Sequence, residues 1–247
     1  MSWRRVVALL EGDIAEMPLL RVAAQGREML ELAVDVCWMG GAPRPGRSLL
    51  AELAGAAGIH ELPERDLADL LGNDRVRTVI ISQAAWRRHA GRLWGRTTSS
   101  AIYVSRTGAW RPPRRVVCGA DSSETADALV DRVRQSLDIR PREIAVVHAV
   151  PRPPLWAQTL CGLNGFGWAP TMVPEEVRFR CRTPSSLVVD WESPEAALRK
   201  ACTSWKPDLV VLGWHRHSFP LPDRWQHRTA WRLSTELPHD VLLVPLR

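Results

Sequence analysis

Several things are scarce in this sequence, and each scarcity narrows the reading. No uninterrupted apolar run in the 247 residues approaches the roughly 18 that a membrane-spanning helix needs. The apolar run near the start covers only Val6 to Leu10 before Glu11, too short for the apolar region of a signal peptide. A soluble, cytoplasmic chain with no membrane partner is expected. Cysteines number five, an odd count, and stand at 37, 118, 161, 181 and 202 with no Cys-x-x-Cys pair. That argues for buried free thiols in a reducing compartment. Lysine is nearly absent, only Lys200 and Lys206, so the 33 basic residues are almost all arginine. Against 27 acidic residues they leave a net charge of +6, with no long block of one sign. The excess divides evenly about residue 112, so neither half is a basic module and nucleic acid is not the expected partner.

What is present is globular. Hydrophobic residues make up 45% and charged residues 24%, the balance of a chain that folds around a core rather than staying disordered. A chain of this length allows one large domain or two modest ones.

Along the chain, short apolar runs alternate with helical patterns. Arg5–Leu10, Leu32–Trp38, a stub at Gly58–Leu62, Arg77–Ser82 and Ala101–Ser105 read as strands. Pro18–Glu28, Ser48–Ala57, Asp66–Leu71 and Ala84–Trp94 read as helices between them. Gly40–Gly46 is a glycine–proline loop. Arg106–Pro113 is a polar linker ending in proline. The pattern then begins again. Arg114–Ala120, Ile144–Val150, a strand within Val177–Asp190, Asp208–Gly213 and Val241–Pro245 are the strands of the second pass. Asp121 and Glu124 form a capping-box pair ahead of a helix carrying Ala126, Leu129, Val130, Val133 and Leu137. Ser193-Pro194-Glu195 is a helix start with proline in the first turn, and Ala197, Leu198, Ala201, Cys202 and Trp205 form its apolar face. Trp225–Thr235 is a last helix.

Strands that are apolar throughout, separated by helices, predict a parallel sheet covered on both faces. The repeat predicts two similar α/β domains, residues 1–110 and 113–247, each with its own sheet.

The second half resembles the universal stress protein family. Val116-Val117-Cys118-Gly119-Ala120-Asp121-Ser122-Ser123 is similar to that family's first strand and its Asp-Gly-Ser turn. Val146–Val150 is similar to its second strand, Ser193–Ala197 to its third helix and Asp208–Gly213 to its fourth strand. Val241–Pro245 is similar to its last strand. The first half keeps the strands Arg77–Ser82 and Ala101–Ser105 but none of the motifs, as a degenerate copy.

The resemblance implies a tandem member: two domains, each a five-stranded parallel sheet with helices on both faces. They would join through their final strands as an intramolecular pseudo-dimer, with a homodimer as a further possibility. It implies a crevice at the carboxyl ends of the first and fourth strands, where successive connections leave in opposite directions. In nucleotide-binding members, the counterpart of Asp121 contacts adenosine and the backbone at Ala149 touches the base. Gly213 would begin the phosphate loop.

That loop departs from the family pattern of glycine, two residues, glycine, nine residues, glycine and serine or threonine. Here Gly213-Trp214-His215-Arg216 puts Arg216 at the second glycine, and Gln226-His227 stand where Gly-Ser is expected. Pro220 and Pro222 remove further backbone donors. The first half has Ser82-Gln83-Ala84-Ala85, with no glycine at all. The expectation is a stress-response protein without tight ATP binding and without enzymatic activity, acting through protein partners. Two alternatives stand beside it. One is an adenine-nucleotide sensor that uses Asp121, Ala149, Gly213 and Arg216, with Arg216 and nearby histidines replacing backbone donors. The other is a weak nucleotide hydrolase.

Other patterns carry less. His215 and His217, with His227 or Asp223, have no set metal-ligand spacing. Gly162–Gly167 lacks the Lys-Ser/Thr of a phosphate loop and falls in the long excursion 151–174. Of the 12 tryptophans, Trp156, Trp168, Trp214 and Trp225 fall near the crevice rim. No nucleophile, base or carboxylate pair has catalytic spacing.

Overall fold

The computed structural model describes residues 5–10, 34–39, 59–62, 76–93, 101–106, 113–120, 127–131, 133, 143–149, 186–190, 193–215 and 226–246. Ten strands lie among them. They are β1 (Arg5–Leu10), β2 (Val34–Met39), β3 (Ile59–Leu62), β4 (Val76–Ser82) and β5 (Ala101–Ser105) in the first half. The second half supplies β6 (Arg115–Ala120), β7 (Glu143–Ala149), β8 (Ser186–Asp190), β9 (Leu209–His215) and β10 (Asp240–Leu246). Three helices are described over their length: α1 (Gln83–Leu93), α2 (Pro194–Trp205) and α3 (Gln226–Glu236). Residues 127–131 and 133 are helical as well. The helices expected at 18–28, 48–57 and 66–71, the loop 40–46, the capping pair Asp121/Glu124 and the excursion 151–174 lie outside the described residues.

The strands form one ten-stranded sheet in the order β3-β2-β1-β4-β5-β10-β9-β6-β7-β8. Two separate sheets were expected, and that expectation is corrected: the sheet is continuous through both halves. Within it, each half keeps its five strands contiguous and follows the same order, third-second-first-fourth-fifth, read inwards from the two edges of the sheet. All pairings inside a half are parallel, and the antiparallel one is the join between β5 and β10. There Val104 faces Val241, Tyr103 faces Leu242 and Ile102 faces Leu243.

The sheet forms because both of its faces are covered. Val6, Ala8 and Leu10 point into one core layer and Val7 and Leu9 into the other, the period-two alternation of a strand buried on both sides. Leu129, Val130 and Val133 cover one face. Ala85 and Trp86 of α1, Ala197 and Leu198 of α2, and Leu233 of α3 cover the other. Cys37, Cys118 and Cys202 are buried thiols outside any disulfide. Burial pushes the Cys202 thiol up to about 11 against a smaller opposing pull from Arg199, so it stays protonated and unreactive at neutral pH.

Local chemistry sets the element ends. Ser193 caps α2, its hydroxyl accepting from the Ala196 N–H, with Pro194 opening the helix as the sequence predicts. Lys206 ends the helix in the left-handed region at φ 47°, returning its N–H to the Cys202 carbonyl, and Pro207 follows. The Asp208 carboxylate then accepts from the Arg114 and Arg115 N–H groups at 2.8 and 2.9 Å, which aligns the start of β9 with that of β6.

The join between the halves carries a polar network on top of its apolar ladder. The Tyr103 hydroxyl donates to Asp240 Oδ2 at 2.5 Å, and the Arg106 N–H donates to Asp240 Oδ1 at 2.7 Å. The Trp86 indole N–H donates to Ser234 Oγ at 2.8 Å across the pair α1 and α3. Burial, and then the neighbouring Asp240 carboxylate, hold the Tyr103 phenol well above its ordinary ionisation range.

Candidate functional site

The order of strands places a switch point in the second half. From β6 the chain moves outwards to β7, whereas β9 lies on the other side of β6 and leads to β10. Connections that diverge in this way leave a crevice at the carboxyl ends of β6 and β9. The described residues there are Gly119 and Ala120 on β6, Ala149 at the end of β7 and Gly213 on β9.

His148 fixes the rim. The ring is buried, and its Nδ1 lies 3.0 Å from the Ala120 carbonyl oxygen. A carbonyl can only accept, so Nδ1 carries the proton in this contact. The bond ties the end of β7 to the end of β6, beside the point where Asp121 follows. Sequence reading placed His148 in a strand without assigning it this contact. A histidine one residue from a strand end is the signal that was available. Ala149 is half-buried and packs against the core while its backbone pairs with Asp190.

Gly213 is not where a phosphate loop needs it. The strand was expected to end at Gly213, and β9 instead runs on through Trp214 to His215. Gly213, Trp214 and His215 pair with Val244, Pro245 and Leu246 of β10. Backbone engaged in a ladder cannot turn back to cradle an anion. The missing side chain at Gly213 has a packing reason as well. A Cβ built there would stand 3.2 Å from Leu246 Cγ, closer still to its Cδ1, and 3.3 Å from Leu129 Cδ2. The glycine makes room for a core leucine. Gly119 is similar: a Cβ there would lie 2.9 Å from Leu198 Cδ1.

Asp121 and Arg216 lie outside the described residues. In the sequence, Asp121 follows the last residue of β6 and Arg216 the last residue of β9. His217, Asp223, Trp156, Trp168 and Trp225 also lie outside, and His215, Trp214 and His227 are described in backbone only. Among the described residues, no group of three or more potential metal ligands occurs, and no helix is long and apolar enough to cross a membrane.

The corresponding end of the first half is closed by other means. Helix α1 begins at Gln83, directly after the last residue of β4. Ser82 Oγ accepts from the Ala85 N–H at 3.1 Å and so caps the helix. No residue is left between strand and helix to form a loop. In the second half, ten residues, 216–225, separate β9 from α3.

An adenine nucleotide is the group that such a crevice would suggest, and the described residues do not fit a backbone phosphate cradle. In one half the leading glycine is built into a strand; in the other the loop has no length.

No protein-family model matches the sequence, and no curated protein matches it. Solved structures do. A universal stress protein from Archaeoglobus fulgidus DSM 4304 superposes with a TM-score of 0.63 at 8% identity, over 99% of this chain and 99% of that one. The chain has the universal stress protein fold. A protein of unknown function from Pseudomonas aeruginosa PAO1 is similar to the same extent, with a TM-score of 0.64, 13% identity and coverage of 99% and 93%. A third structure, from Pseudomonas aeruginosa UCBPP-PA14 and assigned to universal stress proteins, gives 0.62 and 14% over 99% and 94%. Each match covers almost the whole of both chains, so the likeness of fold extends over both halves of this chain. At these identities the likeness is one of fold.

Proposed function

We propose that this chain is a non-enzymatic, cytoplasmic stress-response protein that acts by binding other proteins and does not hold ATP tightly. The stress-response part rests on the fold shared with universal stress proteins, an argument by analogy. The nucleotide part rests on one observation, the pairing of Gly213 through His215 with β10. A triphosphate needs several convergent donors, because desolvating its charge without partners is costly. In this reading the second-half crevice offers too few of them from its backbone.

One feature favours a second reading, an adenine-nucleotide sensor. The sequence between β9 and α3, residues 216–225, contains Arg216 and Arg224. With Asp121 and Ala149 for adenosine, these guanidinium groups would take the place of backbone donors. Because the first half has no loop, such a sensor would hold one nucleotide per chain.

Native mass spectrometry of the protein as purified separates the two readings. The expected spectrum shows the chain, single or paired with a second copy, without a nucleotide mass. A stoichiometric adduct of one adenine nucleotide per chain would replace the first reading with the second.

A further inference from the structure

The chain passes from α3 into β10 through Leu237, Pro238 and His239. One first-half residue grips this turn on both sides of His239. Arg106, just past β5, donates from Nη1 to the Leu237 carbonyl oxygen at 2.9 Å, and its backbone N–H donates to Asp240 Oδ1 at 2.7 Å. The other Asp240 oxygen, Oδ2, accepts from the Tyr103 hydroxyl at 2.5 Å. Between the two grips the His239 ring is half-buried, and its Nδ1 is buried with no hydrogen-bond partner among the described residues. A buried polar atom left unpaired in a folded chain is uncommon.

The surroundings favour a neutral ring. Burial, and then the Arg106 guanidinium, hold His239 below its ordinary 6.5, against a smaller opposing pull from Asp240. The Asp240 carboxylate already accepts from both Tyr103 and Arg106. Of the other described groups that meet this turn, Gln83 of α1 donates to the Thr235 and Leu237 oxygens at 3.1 and 3.2 Å. Arg87 donates from Nε to the Thr235 oxygen at 2.9 Å and is a further cation. Glu236, just ahead of the turn, is exposed and paired with Arg199 and Arg232. A proton on His239 therefore adds a second positive charge beside Arg106, where burial weakens the screening by water.

We propose that Arg106 and His239 form an acid-sensitive clasp across the join between the two halves. With the ring neutral, Arg106 holds Leu237 and Asp240 and ties the end of β5 to the start of β10. With the ring charged, guanidinium and imidazolium repel each other, and the clasp loosens beside the antiparallel ladder of β5 and β10. A base that the fold favours in its neutral form stabilises the fold fully above its ordinary 6.5, and that stabilisation is lost as pH falls through the lower folded value. The cation belongs to the first half and the histidine to the second, so the response to acid acts on their join.

Nuclear magnetic resonance of the full-length chain tests it. In the unaltered protein the assigned His239 ring should titrate with a midpoint below 6.5. Arg106→Gln, which keeps a donor and removes the charge, should move that midpoint upwards. Protection of the Arg106 amide against hydrogen exchange, corrected for the intrinsic rate, should fall several-fold in the unaltered protein as pH is lowered from about 7.5 to about 5. In His239→Gln it should stay level. A His239 midpoint at or above 6.5, a midpoint that Arg106→Gln leaves in place, or an equal loss of protection in His239→Gln would each overturn the proposal. The titration of the unaltered protein decides the matter even where a variant folds poorly.

Discussion

Replacing Asp240 by alanine is expected to destabilise the whole chain by about 3–5 kcal/mol, the scale for losing two hydrogen bonds to a charged acceptor at about 1.5–3 kcal/mol each. Asp240 is 6% exposed and accepts from two groups of the first half, the Tyr103 hydroxyl and the Arg106 N–H. Alanine leaves the buried Tyr103 hydroxyl and the Arg106 N–H without the carboxylate to which they donate. Tyr103→Phe removes one of the two bonds and keeps the ring, so it should cost less, about 1.5–3 kcal/mol for a bond to a charged acceptor. Combined, the two changes should cost less than their sum, because they remove the same bond. Urea denaturation followed by circular dichroism gives the three values. Tyr103 adds a pH signature. Its folded-state ionisation lies well above the ordinary 10.0. Its contribution is therefore complete below pH 10 and is lost as pH rises towards the folded value, since the unfolded phenol loses its proton first. Tyr103→Phe should flatten that alkaline decline. An Asp240→Ala protein as stable as the original would mean that the two halves do not depend on this cluster.

Trp86→Ala is expected to cost about as much, 3–5 kcal/mol on the scale of deleting a fully buried aromatic side chain. Trp86 is 0% exposed, belongs to α1 of the first half, and reaches Ser234 of α3 with its indole N–H. The Ser234 hydroxyl keeps its own donation to the Trp231 carbonyl, so the loss is mainly of packing. Trp86→Phe separates the two parts: it retains most of the ring and drops the N–H bond, which is worth about 0.5–1.5 kcal/mol. The form of the transition matters as much as its midpoint. Core layers that run through both halves predict that the halves unfold together, so the alanine protein should keep one cooperative transition at a lower urea concentration. A first half that melts by itself, with the second half unaffected, would contradict a shared core.

The sequence made much of this architecture legible. Strands that are apolar on both faces pointed to a covered parallel sheet, and the repeat of elements along the chain corresponds to the like strand order of the two halves. Ser193 and Pro194 marked the start of α2 to the residue. What escaped was whatever depends on the approach of distant segments. Gly213 read as the end of a strand because glycine breaks strand patterns. Here it is inside one, kept small by Leu246 lying 33 positions further along the chain. The resemblance named the final strands, Ala101–Ser105 and Val241–Leu246, as the surfaces that join, but their pairing into one continuous sheet escaped for a similar reason. The pattern of each half is the same whether its last strand is an edge or a join. One signal was present in β5: Ala101 through Ser105 are all buried, a composition unsuited to an exposed edge. The role of the single tyrosine at 103 and of Asp240 followed only from the antiparallel ladder that brings them together. For the crevice, sequence reasoning brought four residues to one end of the sheet. The structure describes Ala149 and Gly213, and the side chains that would speak to a ligand, Asp121 and Arg216, lie outside the described residues.

Titration calorimetry with ATP, and with AMP as its phosphate-poor counterpart, bears most directly on the proposed function. With Gly213 held in the ladder and no loop in the first half, the dissociation constant for ATP should be weaker than roughly 100 μM, less than about 5.5 kcal/mol of binding free energy. Any weaker binding should fall away with Arg216→Ala. Micromolar ATP affinity that survives Arg216→Ala would contradict the account, because the phosphates would then be held without the side chain on which it relies.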